Sequence, residues 1–199
     1  MSESQYTYHP GRRVFAAEFN DGTHTYSESD EDRSPNFQLL PTGVRANRVL
    51  VMGTITEVED VASDPDTEFL RARLVGPTGT FLVYAGQYQP EAASVLRDLE
   101  TPSYMAVSGK IRTYEPESED GEDDDDTTIV SIRPDDFLVE VDADRRDMWI
   151  RETAAQTLDR IEGSDSENPL VAKAIDQYGT QPAEYTSCVI DALESLEVE

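Results

Sequence analysis

The stretch EFLRARLVGPTGTFLVYAGQYQPEAASVLRDLE, residues 68–100, decides the fold. Its first two segments, 68–76 and 80–86, are rich in alternating apolar side chains, which is typical of strands. They are separated only by the tight turn PTG at 77–79. The pattern therefore predicts a β-hairpin.

A short helix is predicted directly after the hairpin. Gly86 ends the second strand, and Pro90 suits the first turn of a helix over 89–100. The apolar residues of this segment recur at spacings of four and three, which places them on one helical face. That face consists of Ala92, Leu96 and Leu99.

Three further strands are predicted on either side of this unit. NRVLVMGTITEVED (47–60) precedes it, and Gly53 in its middle suggests a bulge or a sharp bend. SYMAVSGKIRTYE (103–115) and TTIVSIRPDDFLVEV (127–141) follow it. The order strand, strand, strand, helix, strand, strand is that of the OB-fold, a five-stranded Greek-key barrel. Another small β-barrel is the alternative.

The whole chain is predicted to be mainly β with α, in three parts. An N-terminal extension, 1–43, contains a β-hairpin-like segment formed by strands at 12–19 and 23–27. The OB-fold domain spans 44–141. A C-terminal module, 142–199, shows the apolar periodicity of about three helices.

Composition limits the class of protein. The chain has 42 acidic and 16 basic residues, a formal charge of −26, and the acids are spread over every segment, which is typical of halophilic proteins. The single Cys188 excludes an internal disulfide and is interpreted as a packed thiol. With two histidines and no zinc spacing, no metal or cofactor is expected. The absence of a long apolar run or a leader pattern predicts a cytoplasmic protein with no membrane contact.

The acidic run EPESEDGEDDDD, 115–126, falls between the fourth and fifth strands. It lacks the glycine turn and closing glutamate of a calcium loop. A solvated loop is the favoured interpretation, with weak cation binding or mimicry of DNA as alternatives.

Alternation along the strands places cations and aromatic rings on the outer face of the barrel. Such a surface is typical of OB-folds that hold single strands, although solvated or covering side chains are the alternative. Periodicity leaves open which of Phe81 and Tyr84 points outward, and the hydroxyl favours Tyr84. The predicted nucleic-acid-binding residues are Phe69, Arg71, Arg73, Phe81, Tyr84, Lys110, Arg112, Tyr114 and Arg133.

The C-terminal helices invite comparison with a helix-turn-helix. The last helix, however, carries several acids and no base, whereas a recognition helix needs donors for phosphates and base edges. Docking of a protein partner is therefore preferred, with packing onto the barrel as the alternative. The candidate docking residues are Trp149, Tyr178 and Tyr185, and Trp149 also suits the core.

Three segments resemble one known family. PTGTFLVYAGQYQPEA (77–92), RANRVLVMG (45–53) and YGTQPAEYTSCVIDAL (178–193) are similar to haloarchaeal replication protein A (RPA)-associated proteins. The resemblance implies an OB-fold partner of an archaeal single-stranded-DNA-binding protein, acting in replication and repair. It brings no catalytic residues.

Two functions are therefore expected to compete. The first is an auxiliary subunit that contacts single-stranded DNA while it is bound to an RPA-type subunit. The second is an adaptor that holds only proteins. An enzyme is not expected, because the sequence shows no nucleophile–base pair, metal motif or phosphate-binding glycine loop.

Overall fold

The computed structural model describes residues 9–28, 35–115, 127–165 and 167–197. In these ranges the strands are β1 (Thr25–Ser27), β2 (Asn36–Leu39), β3 (Arg45–Ala46), β4 (Arg48–Asp60), β5 (Phe69–Gly76), β6 (Gly79–Gly86), β7 (Ser103–Tyr114) and β8 (Ile129–Glu140). The α-helices are α1 (Ala16–Asp21), α2 (Pro90–Asp98), α3 (Ala143–Glu162), α4 (Pro169–Tyr178) and α5 (Thr186–Glu194). A 3-10 turn, Pro182–Tyr185, leads into α5.

Strands β4 to β8 close into a barrel in the order β4-β5-β6-β8-β7, and β7 returns to pair with β4. Neighbouring strands are antiparallel except β6 and β8, which are parallel. Helix α2 connects β6 to β7 and packs against β5, β6 and β8. This is the strand order of an OB-type barrel. The predicted fold class, mainly β with α, is confirmed.

Alternate residues of the strands fill the barrel interior, as the period of two predicts. Each interior side chain is buried, and full burial of a large apolar side chain contributes roughly 1.5–3 kcal/mol. The interior set includes Leu70, Ala72 and Leu74 of β5, Phe81, Val83 and Ala85 of β6, Met105, Val107 and Ile111 of β7, and Val130 and Ile132 of β8. The intervening residues are thereby placed on the outer surface.

Gly53 allows two strands of the barrel to approach closely. A Cβ atom at this position would lie 2.4 Å from the carbonyl oxygen of Val75 on β5. The register of β4 against β5 shifts slightly further along, between Ile55 and Glu57. The predicted irregularity of this strand is therefore present. The glycine is required because its lack of a side chain lets the two backbones approach closely.

The N-terminal segment corrects one prediction. Residues 12–19, expected as a strand, make a single bridge from Arg12 to Val49 and then form helix α1. Phe15 and Phe19 are four residues apart and both buried, which suits one face of a helix packed on the barrel. Period-two and helical patterns overlap in so short a run, and burial on the barrel favours the helix.

The second strand of the predicted N-terminal hairpin pairs with a strand other than 12–19. Strand β1, within the expected strand 23–27, pairs with β2 in antiparallel fashion, and β2 pairs with β3. A small three-stranded sheet results. Its second strand supplies the buried Gln38, whose amide donates to the carbonyls of Phe19 and Gly22 and thereby fixes the end of α1.

The C-terminal helices form where periodicity predicts them. The Asp142 side chain caps α3 by accepting from the Arg145 amide, and Asn168 caps α4 in the same way. Gly179 ends α4 at φ 68°, a left-handed conformation that favours glycine. The predicted third helix is split into the 3-10 turn and α5.

One hydrophobic core runs through all three predicted parts of the chain. The ring of Phe15 meets Trp149 of α3 edge-on at 5.8 Å, and Phe19 of α1 lies 5.4 Å from Phe81 inside the barrel. The N-terminal extension and the C-terminal helices are therefore packed on the barrel. The part boundaries given above stay predictions. Among the described residues, no helix is both long and apolar enough to cross a membrane.

Candidate nucleic-acid interface

A row of outward side chains, here called the outer belt, circles the barrel. Arg48 on β4 faces Lys110 on β7, and Lys110 faces Arg133 on β8. On the other side, Tyr84 on β6 faces Arg71 on β5. The Arg133 guanidinium lies 4.8 Å from the centre of the Tyr84 ring and joins the two halves. Directly opposed residues point to the same side of a sheet, so the belt follows from strand register.

An aromatic stack forms the centre of the belt. The rings of Phe69 and Tyr84 stack at 5.4 Å with 26° between their planes. Arg133 also lies over Phe69, with 5.3 Å between its Cζ atom and the ring centre. Burial lowers the pKa of the Arg133 guanidinium, whose position over two rings partly replaces lost water. This flat, partly desolvated platform is the kind of surface on which nucleic-acid bases stack.

The structure decides between Phe81 and Tyr84. Phe81 is 0% exposed and packs in the barrel core, so its assignment as a nucleic-acid-binding residue is wrong for this conformation. Tyr84 does point outward, but it is only 5% exposed because Phe69 and Arg133 cover it. Phe69 is therefore the outer ring of the stack, and Tyr84 supports it.

The two predicted cations of β5 lie next to carboxylates of β4. Arg71 forms an ion pair with Glu59, and this hydrogen-bonded carboxylate raises the pKa of Arg71. Arg73 lies 3.9 Å from Glu57. Both residues are on the outer face, as predicted, but a phosphate would compete with these carboxylates for them.

The two predicted cations of β7 differ in their ion pairing. Lys110 lies 3.6 Å from Asp135 at a partly exposed site. Arg112 is exposed and, among the described residues, has no ion-pair partner. Tyr114 is exposed two residues further along the same face of β7. The predicted positions of Arg112 and Tyr114 are thus open to a ligand.

A groove of about 860 Å³ runs beside the stack, between the barrel and the start of α2. Phe69, Lys110, Arg112 and Arg133 line it. The groove also contains residues absent from the sequence prediction, of which Tyr88 is the most prominent because its side chain is 83% exposed. The groove also holds the carboxylates of three residues, Asp66, Glu68 and Asp135. The other additions are Thr67, Gly86, Gln87, Gln89, Pro90, Ala93 and Arg97. The signal available in the sequence was the aromatic in a polar turn between Gly86 and Pro90.

The three predicted docking residues are all used inside the chain. Trp149 is buried and donates from Nε1 to the carbonyl of Leu50 at 2.9 Å. Tyr185 is buried and donates to Asp21 at 2.7 Å. Tyr178 donates to the carbonyl of Leu39 at 2.6 Å. Each of these side chains anchors a helix to the rest of the fold. Burial contradicts the docking assignment of Trp149 and Tyr185, whereas that of Tyr178, which is only partly buried, stays a prediction.

Two other predictions concern metals and the acidic run. Within the described ranges, no three His, Cys, Asp or Glu side chains come together in a way that would hold a metal ion. The acidic run lies outside the described residues from position 116 to 126.

Cys188 is partly buried, and burial raises the pKa of its thiol.

Comparison with solved structures gives matches of low similarity. OBody NL8, bound to hen egg-white lysozyme, aligns with a TM-score of 0.37 and 12% identity over 49% of this chain and 96% of its own. A small single-stranded DNA-binding protein from Streptomyces coelicolor aligns with a TM-score of 0.32 and 16% identity. The alignment covers 49% of this chain and 95% of that protein. The single-stranded DNA binding protein from Thermus aquaticus aligns with a TM-score of 0.36 and 18% identity. The alignment covers 60% of this chain and 55% of that protein. No family model and no curated protein sequence matches the chain.

Proposed function

We propose that the chain binds single-stranded DNA along the outer belt and its groove, as a non-catalytic auxiliary subunit of an RPA-type complex in replication and repair. The observation that carries the DNA contact is the Phe69–Tyr84 stack beneath Arg133 at the edge of the groove. The subunit assignment is supported by the family resemblance of the sequence.

The forces available at this surface suit a halophilic setting. At about 1 M salt the Debye length is about 3 Å, so long-range attraction to phosphates is almost fully screened. Stacking of a base on an aromatic ring is worth about 1–3 kcal/mol and is insensitive to salt. A protein with a formal charge of −26 gains nothing from distant charge. It therefore has to bind DNA through contact surfaces such as this stack.

The groove residues take distinct roles in this proposal. Phe69 and Tyr88 are exposed enough to stack bases, whereas Tyr84 holds Phe69 in place. Arg112 contacts phosphates because no carboxylate of the described chain pairs with it. Lys110 contributes less, since Asp135 lies 3.6 Å away.

A second candidate, the adaptor without DNA contact, is favoured by a different observation. Phe137 and Val139 point outward from β8 and are 41% and 46% exposed. Each faces a small residue of β7, namely Ser108 and Ala106. An exposed phenyl ring next to an exposed valine is a surface that a protein partner would cover.

Co-purification at molar salt tests the two candidates. The proposed function predicts that a single-stranded-DNA-binding subunit is retained after nuclease treatment, and that the complex then binds a labelled oligonucleotide. Loss of the partner on nuclease treatment would contradict a direct association. The adaptor would be favoured by two results together: the partner is retained after nuclease treatment, and Phe69→Ala leaves the DNA affinity of the complex unchanged.

A further inference from the structure

A second concave site, here called the arginine pocket, shares no lining residue with the groove beside the stack. Its volume is about 410 Å³, and it forms where the N-terminal segment crosses β3 and the start of β4. Three arginines, Arg12, Arg45 and Arg48, line it together with His9, and no acidic residue from the described part of the chain belongs to its lining.

Arg12 is held in place by the backbone of β4. Its amide donates to the carbonyl of Arg48 at 2.8 Å, and its carbonyl accepts from the amide of Leu50 at 3.0 Å. Its Nε atom donates to the carbonyl of Arg45 at 3.0 Å. The Nε hydrogen bond restrains the guanidinium at the pocket, so less rotamer freedom is lost on binding.

Arg12 also lacks a partner of opposite charge. Among the described residues it forms no ion pair within 4.0 Å. Burial and the nearby guanidinium of Arg160 lower its pKa, and Glu18, the acid that attracts it, is already bound by Arg160 and Thr42. An anion in the pocket would supply the missing charge.

The other two arginines are compensated from outside the pocket. Arg45 pairs with Glu28, and Arg48 pairs with Asp135 and Asp136 at 2.9 and 2.7 Å. Arg45 also lies over the Phe37 ring, with 4.5 Å between its Cζ atom and the ring centre. These contacts fix two further guanidinium groups at the wall, where they add donors more than net charge.

We propose that the arginine pocket binds a backbone phosphate of the single strand, at the point where that strand leaves the groove. This rests on the proposed function, because the strand source requires DNA in the groove. Strand register supplies the connection: Arg48 at the pocket faces Lys110 at the groove, and Lys110 faces Arg133 of the stack. Arginine forks suit tetrahedral phosphate because they offer paired donors in a fixed plane.

Oligonucleotides of two lengths test the inference on the purified complex. A strand of about four nucleotides fills only the groove, whereas one of about twelve also reaches the pocket. Arg12→Gln should weaken the longer strand about tenfold and leave the shorter one unchanged. Arg45→Gln, at a partly exposed residue, serves as the second variant in case Arg12→Gln unfolds. Arg145→Gln removes an exposed arginine of α3 and is the matched control.

Titration of the full-length protein with inorganic phosphate separates the two proposals. In one outcome, the wild type binds phosphate but neither oligonucleotide, and Arg12→Gln abolishes the phosphate binding. This result would overturn the proposed function, and the pocket would remain a site for free phosphate. An equal effect of Arg12→Gln and Arg45→Gln on both strand lengths, or no effect on the longer one, would overturn the strand path. Absence of both phosphate and oligonucleotide binding would overturn both proposals.

Discussion

The guanidinium of Arg160 in α3 donates at 2.7 Å to the carboxylate of Glu18 in α1, and both side chains are buried. Thr42, in the turn between β2 and β3, donates to the other oxygen of the same carboxylate. One buried ion pair therefore joins the N-terminal helix, the small sheet and the C-terminal helices. Loss of one partner would leave the other charged and desolvated.

We expect Glu18→Gln and Arg160→Met each to lower the free energy of unfolding by about 3 kcal/mol or more, because each leaves a buried group without its partner. Denaturant unfolding at constant high salt measures this. The double variant Glu18→Leu with Arg160→Met should be less destabilised than the sum of the single changes. Arg151→Gln, at an exposed residue of the same helix, should be neutral. Additive effects in the double variant would contradict the coupling.

The stack predicts a loss of DNA affinity that is independent of salt. Phe69→Ala removes the outer ring and should weaken oligonucleotide binding by about 1–3 kcal/mol, equally at low and high salt. Fluorescence titration of the complex at several salt concentrations measures it. Val75→Ala truncates another outward residue of β5 and is the matched control. A wild-type affinity for the Phe69 variant would exclude the stack from binding.

Removal of Arg112 should instead change the salt dependence of binding. Each phosphate contact contributes about 0.7 to the slope of log K against log salt on single strands, so Arg112→Gln should flatten that slope by about this amount. The same titrations provide the measurement. Arg145→Gln serves as the control, since its side chain is exposed on α3 away from the groove lining. An unchanged slope at reduced affinity would mean that Arg112 acts through shape rather than charge.

Tyr178 predicts a loss of stability in alkali. Burial raises the pKa of its hydroxyl to about 12, above the ordinary value of 10.0. Between these values the folded protein keeps a proton that the unfolded chain has released, so stability falls as pH rises through this window. Below it the contribution is fully present.

Unfolding midpoints between about pH 9 and pH 11 check this sign. Tyr178→Phe loses the hydrogen bonds to Leu39 and His24 and should be less stable than the wild type at neutral pH. The difference should shrink as the pH rises. A difference that stays constant would show that the hydroxyl does not titrate in this window.

Much of the barrel follows from the sequence alone. The alternation in EFLRARLV placed Leu70 inside and Arg71 outside, and both are there in the structure. The helix after Gly86 likewise forms where the local pattern predicts it. These features depend on neighbours two to four residues apart, so local sequence contains the information.

The sequence by itself thus determined the order of the barrel strands along the chain, the side of each barrel strand on which a residue lies, and the helix that follows Gly86. Tertiary structure decided which outward residues stay exposed: Tyr84 is covered by Phe69, and Trp149 and Tyr185 turn inward. It also brought Arg12 beside Arg48, 36 positions further along the chain. Periodicity fixes direction relative to the backbone, whereas burial and charge pairing depend on what another element places on that face.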